Sequence, residues 1–126
     1  MAGLTLDSGA LIQYERADAR VRAWLIAAFE RGSIPTVPSV VVAETWRGGP
    51  RAARIARLLK DCEIELLDDA LAREAGLLRG AVDGSTTIDA IVVASAGRRG
   101  DTVLTSDSGD LSLLAAHTPG VQIEPV

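Results

Sequence analysis

Short apolar runs that stop at a turn, a cap or an acidic residue alternate with stretches of helical spacing along all 126 residues. That alternation admits few folds. The strand-like runs are GLTL at 3–6, SIPTV at 33–37, EIELL at 63–67, TVLTS at 102–106 and VQIEPV at 121–126. Between them lie SGALIQYE (8–15), which Ser8 could cap, and ADARVRAWLIAAFERG (17–32), with Val21, Leu25, Ala28 and Phe29 on one face and Gly32 as its stop. PSVVVAETWRG (38–48) has a proline near its start and a Gly48-Gly49 pair at its end, and a further helix runs from Pro50 to about Asp61. DDALAREAGLLRGAV (68–82), TTIDAIVVASAGRRG (86–100), closed by Arg98, Arg99 and Gly100, and SGDLSLLAAH (108–117) complete the set. Strands that each need a helix to return cannot form hairpins. They predict a three-layer α/β sandwich with a mainly parallel five-stranded sheet and helices on both faces. The length fits one domain spanning 1–126.

Composition removes several classes of function. The longest apolar stretches, AWLIAAF and AIVVA, fall well short of the roughly 18 residues a membrane span needs. MAGLTLDSGALI has no basic leader and meets Asp7 early, so a cytoplasmic location is the expectation. A lone cysteine, Cys62, supports neither an internal disulfide nor a thiolate metal cluster and reads as a buried, inert thiol. Aromatics are 3% of the chain, so Ala, Val, Leu and Ile must build the core.

Two acids sit where a sandwich of this kind gathers ligands, outside the carboxyl ends of the strands at the point where strand order reverses, and two more lie on helices. Asp7 ends the first strand and Asp107 follows the fourth, while Glu44 and Asp89 interrupt the apolar helical stretches PSVVVAETW and TTIDAIVVASA. Each has a plainer reading. Asp7 could cap a helix, Asp107 and Asp110 could be first-turn acids behind Ser106, and Thr86 stands at capping-box distance from Asp89. Glu44, flanked by Val40, Val41 and Ala43, must be paired, exposed or a ligand. Carboxylates that do converge would repel, and a hard divalent cation, magnesium or manganese, relieves that repulsion with oxygen ligands while leaving room for water and phosphate. Such an ion suits phosphodiester hydrolysis. The only histidine, His117, falls at a helix end and reads as a surface group.

LTLDSGALI, PSVVVAETWRG, TIDAIVVASA and VLTSDSGDL, in that order and spacing, resemble the signature of PIN domains, and most closely the VapC ribonuclease toxins of bacterial toxin-antitoxin modules. The resemblance covers essentially the whole chain. It implies a PIN fold, a magnesium- or manganese-dependent endoribonuclease, a homodimer, and a cognate antitoxin whose tail crosses the acidic groove, where a basic side chain could mimic the metal. Carried over, Asp7, Glu44, Asp89 and Asp107 are the catalytic and metal-binding quartet, Asp110 a further metal ligand, and Thr105 and Ser106 polar companions at the substrate. Two positions depart from the pattern. Gly9 stands where relatives often carry asparagine, and Gly109 stands where a second acid is frequent, with Asp110 one step later.

The net charge of −4 argues against a nucleic-acid partner until the acids are localised: with Asp7, Glu44, Asp89, Asp107 and Asp110 neutralised the remainder carries +1. Basic charge is almost all arginine, Lys60 being the single lysine. Arg47, Arg51, Arg54 and Arg57 would stripe one side if a helix continued through Gly48 to Pro50, which the glycine pair opposes. Arg51 and Arg54 are read either as part of a solvated face with Arg57 or as contacts to RNA or antitoxin. Trp24 reads as packing, and Trp46 as core or interface. The apolar surface around the second to fourth helices is a plausible dock for the partner. A phosphoacceptor receiver would need a lysine after its fifth strand, and a haloacid-type phosphatase a second aspartate at position 9. A non-catalytic RNA-binding or scaffold PIN domain is the alternative, although such a domain would normally have lost one of the four acids.

Overall fold

The computed structural model describes residues 2–126. Five strands, β1 (Leu4–Leu6), β2 (Thr36–Pro38), β3 (Glu63–Glu65), β4 (Thr102–Thr105) and β5 (Gln122–Pro125), form one sheet in the order β3-β2-β1-β4-β5. Every pairing is parallel, with Thr5 opposite Thr36 on one side and Val103 on the other. The chain steps outward from β1 to β2 and β3, then returns to lay β4 against the free side of β1. The reversal point therefore lies between β1 and β4, whose ends carry Asp7 and Asp107.

Seven α-helices make the crossovers: α1 (Ser8–Glu15), α2 (Ala19–Glu30), α3 (Ser39–Thr45), α4 (Ala53–Lys60), α5 (Asp69–Ala81), α6 (Thr87–Arg99) and α7 (Ser108–Ala115). They separate into two packed groups, α1 against α2, α3 and α4, and α6 against α5 and α7 as well as β1, β2 and β4. Right-handed crossovers put these groups on opposite faces of the sheet. Ala90 through Ala96 of α6 are all buried, which makes this helix the spine of its layer. The core is aliphatic, with Leu4, Leu6, Leu11, Val37, Val41, Val93 and Leu104 essentially inaccessible. Among the described residues no helix is long and apolar enough to cross a membrane.

Several boundaries differ from the sequence reading, each for a local reason. Asp7, not Ser8, caps α1, its carboxylate accepting from the Ala10 N–H at 2.9 Å. Asp18 caps α2 by accepting from the Arg20 and Val21 N–H groups, which moves the helix start past Ala17. Phe29 is 40% exposed, because α2 buries only Val21, Leu25 and Ala28. Pro38 belongs to β2, and α3 ends at Thr45, before the Trp46–Gly49 link in which Gly48 and Gly49 hold φ of 70° and 71°. Pro50–Ala52 is a 3-10 turn, so the arginine spacing is not that of one helix. Cys62 is half-buried rather than fully buried, and burial, with the charge of Asp61, pushes its thiol up to about 12, which disfavours the reactive thiolate.

Candidate active site

Three of the acids come together tightly. Asp89, Asp107 and Asp110 each offer a carboxylate oxygen within 4.8 Å of the others. Asp89 is half-buried in the first turn of α6, where the Thr86 hydroxyl caps the helix by accepting from the Asp89 N–H at 3.1 Å. Capping and clustering are thus compatible, since Thr86 takes the cap and leaves the carboxylate to face its neighbours. Asp107 occupies the N-cap position of α7 with φ −125° and ψ 73°, yet its side chain makes no capping bond. Its backbone N–H instead donates to the Thr105 hydroxyl at 2.8 Å. Because α7 starts at Ser108, Asp110 lies three residues beyond Asp107 and shares its side of the helix start. Gly109, where a second acid was looked for, borders open space.

Asp7 and Glu44 stand next to this trio without belonging to it. Asp7 is 8% exposed. Burial pushes its carboxyl up to about 6; the Thr105 hydroxyl and the Ala10 N–H draw it partly back, and the charges of Asp89 and Glu44 push it further up. Asp89 is also raised, first by burial and then by Asp107, Asp110 and Glu44, against the lowering effect of Thr86. Glu44 and Asp89 thus act on Asp7, and Glu44, Asp107 and Asp110 act on Asp89. Glu44 is exposed on α3, which resolves its awkward position in an apolar stretch by pointing it to the rim.

Thr105 and Gly9 position these groups in ways not evident in the sequence. The buried Thr105 hydroxyl lies between the Asp7 carboxyl and the Asp107 N–H, tying the ends of the two adjacent strands. A Cβ on residue 9 would overlap Ser106 Oγ and stand 2.9 Å from the Ser106 Cβ and backbone nitrogen. The side chain missing at Gly9 is therefore replaced in space by Ser106. The sequence signal for that pairing was faint: a glycine one residue inside a helix start and a serine after a strand.

The arginines form a separate surface. Arg51 sits on the 3-10 turn and, with Trp46, Arg47, Thr45 and Glu15, lines a groove of about 390 Å³ just beyond Glu44. Arg54, on α4, donates to the Glu15 carbonyl at 3.1 Å. Trp46 is 44% exposed in this groove and so is not core, whereas Trp24 packs against the core as read. His117 is exposed just beyond the end of α7, as a surface group.

A family model described as PIN domain matches residues 4–115. The chain belongs to the PIN domain family. No curated protein matches it in sequence. Among solved structures, this PIN domain is similar to the Rickettsia felis VapBC2 complex bound to a promoter DNA fragment, at TM-score 0.77 and 13% identity over 98% of each chain. It is similar to a Klebsiella pneumoniae toxin-antitoxin complex, at TM-score 0.72 and 20% identity over 94% of this chain and 95% of that one. It also resembles DNA-bound VapBC from Salmonella typhimurium, at TM-score 0.72 and 18% identity over 99% and 98%. At these identities the likeness is one of fold.

Proposed function

We propose that this PIN domain is a metal-dependent endoribonuclease that hydrolyses RNA phosphodiester bonds as the toxin of a toxin-antitoxin pair. The observation that carries the reading is the convergence of Asp89, Asp107 and Asp110 beside Asp7 and Glu44 at the β1–β4 reversal. The donor set is all carboxylate oxygen, with neither thiol nor imidazole, which fits a hard divalent cation, magnesium or manganese. Asp89, Asp107 and Asp110 would hold it, with Asp7 and Glu44 completing the negative field. When bound, such an ion polarises a phosphoryl oxygen, lowers the pKa of water and offsets charge on the leaving oxygen.

The chain's own groups have separable tasks. Asp7 is held rigidly by the Ala10 N–H and faces Thr105, so its carboxylate presents one fixed orientation. Thr105 sets the position of the Asp107 backbone, and Ser106, exposed beside it, would donate to the substrate. Arg51 and Arg54 supply cations beyond the Glu44 rim for neighbouring phosphates.

The antitoxin partner and a homodimer are part of the same proposal, as is action in the cytoplasm. The solved structures with this fold include toxin-antitoxin complexes, and Ile26, Phe29 and Ile34 expose apolar surface in and just after α2 that a partner would cover. The enzyme is tested with a mixed single-stranded RNA pool, manganese or chelator, and Asp89→Asn. Cleavage that requires manganese and falls at least about 100-fold in the variant is expected. RNA binding without any cut would instead support the scaffold alternative.

A further inference from the structure

A cavity of about 400 Å³ is lined by Tyr14, Ala17, Arg22, Arg54 and Arg57. It lies where the last turn of α1, the first turn of α2 and the outer face of α4 meet. Ala17 turns the chain there with φ of 60°, the one non-glycine residue with positive φ among the described residues, and so folds α2 back to bring Arg22 toward α4. No carboxylate lines this space. Among the described residues the ion pairs involve Arg73, Arg98 and Arg99, so none of the three cavity arginines has an acidic partner within 4.0 Å. Arg54 alone is tethered, through the Glu15 carbonyl.

Three guanidinium groups around one hollow repel, and they face an anion or water. The surroundings indicate which anion. The groove of Trp46, Arg47 and Arg51 begins directly after Glu44, and Glu15, whose carbonyl Arg54 holds, forms part of its wall. Cations therefore continue from the acidic site through Arg47 and Arg51 to Arg54, Arg57 and Arg22. A polymer with one negative charge per unit fits such a track, and the planar forks of arginine match phosphate oxygens in pairs. Tyr14 adds a ring and a hydroxyl beside them.

We propose that the Tyr14–Arg22–Arg54–Arg57 cavity is a second phosphate subsite that grips the RNA backbone away from the cleaved bond; the idea rests on the nuclease reading. From Asp7 to Tyr14 the helical rise is about 10 Å. At ~3.4 Å of rise per nucleotide in a stacked strand, that places the gripped phosphate about three nucleotides from the acids. Strands too short to span that distance forgo the grip.

The test uses strand binding in chelator, which needs no catalysis. Fluorescently labelled mixed-sequence RNA of about 4 and about 12 nucleotides is titrated with wild type, Arg22→Gln/Arg57→Gln and Arg22→Lys/Arg57→Lys, at several salt concentrations. Wild type should bind the longer strand about 10-fold more tightly, and the Gln pair should lose that gain, its salt slope falling by about 0.7 per phosphate released. The Lys pair, which keeps the charge, should retain most of the slope. Unchanged long-strand binding in the Gln pair would overturn the subsite, as would a salt slope that falls as far in the Lys pair, which keeps the charge, as in the Gln pair. Stronger displacement of RNA by oligoglutamate than by polyphosphate, at equal charge, would reassign the cavity to an acidic peptide. If wild type fails to cut RNA with manganese the nuclease reading falls, while the binding comparison still judges the cavity.

Discussion

Asp7 is asked to be a carboxylate in a place that disfavours one. Its folded-state pKa of about 6 lies above the ordinary 3.8, so between those values the folded protein keeps a proton that the unfolded chain has lost. Raising the pH through that window therefore removes stability, and below it nothing is lost. Asn at this position can still accept from the Ala10 N–H but cannot ionise. Asp7→Asn should stabilise the metal-free protein at pH 7 by up to about 3 kcal/mol, with the gap closing below about pH 4. Urea unfolding at both pH values measures it; equal stability of the two proteins at pH 7 would mean that the burial cost is met some other way. Gly9 makes the opposite case, a residue valued for what it lacks. Gly9→Ala is expected to cost about 1–3 kcal/mol and to displace the Ser106–Asp107 backbone, weakening divalent metal binding as well as lowering Tm. An unchanged Tm would show that the loop yields without strain. The acids themselves were legible from their places in the chain. The roles of Thr105 and Gly9 were not, since they depend on the distance between two segments nearly one hundred residues apart.

At the level of elements, α6 matters most, because it carries Asp89 and crosses the sheet under the reversal point. Its far end is fastened by a polar network that reading along the chain did not find. Arg98 and Arg99 form the basic last turn that the sequence predicts, closed by Gly100. Arg99 in addition donates to Asp101 at 2.8 Å, to Glu65 at 3.1 Å, to the Thr5 hydroxyl at 3.1 Å and to Ser95 at 3.0 Å. Thr5 also donates to Asp101 at 2.9 Å, and Arg98 pairs with Glu74 at 3.0 Å. Thr5, Ser95 and Asp101 are buried, so the network stitches β1, β3, α6 and the start of β4 together beneath the site. Arg99→Met should cost about 2–4 kcal/mol, since it leaves the Asp101 carboxylate buried without its cation. A denaturant midpoint equal to wild type would contradict this. Helix and strand existence came through from periodicity because apolar spacing is a local property. Ends such as Thr45 and Glu65 did not, because they are decided by the positive-φ glycines Gly48 and Gly49 and by the exposure of Leu66 and Leu67.

For the whole molecule, the strand order does the work that no local motif can. Asp7 and Asp107 are neighbours only because β4 returns to the free edge of β1. The alternation of elements announced a parallel sandwich, and the position of acids at strand ends announced a site, but the tight membership of that site was not legible. Asp110 joins Asp89 and Asp107 through the starting point of α7, while Asp7 and Glu44 act from beside them. The charge balance follows the same division, with acids gathered at the reversal and unpaired arginines on the α1–α2–α4 side. The central claim, that the trio holds one divalent cation, is tested most directly by calorimetric titration of manganese into wild type, Asp107→Asn and Asp110→Asn. One ion per chain in wild type, with affinity at least about 10-fold weaker in each variant, is predicted. Binding that is equal in all three proteins, or absent from wild type at millimolar manganese, would contradict it.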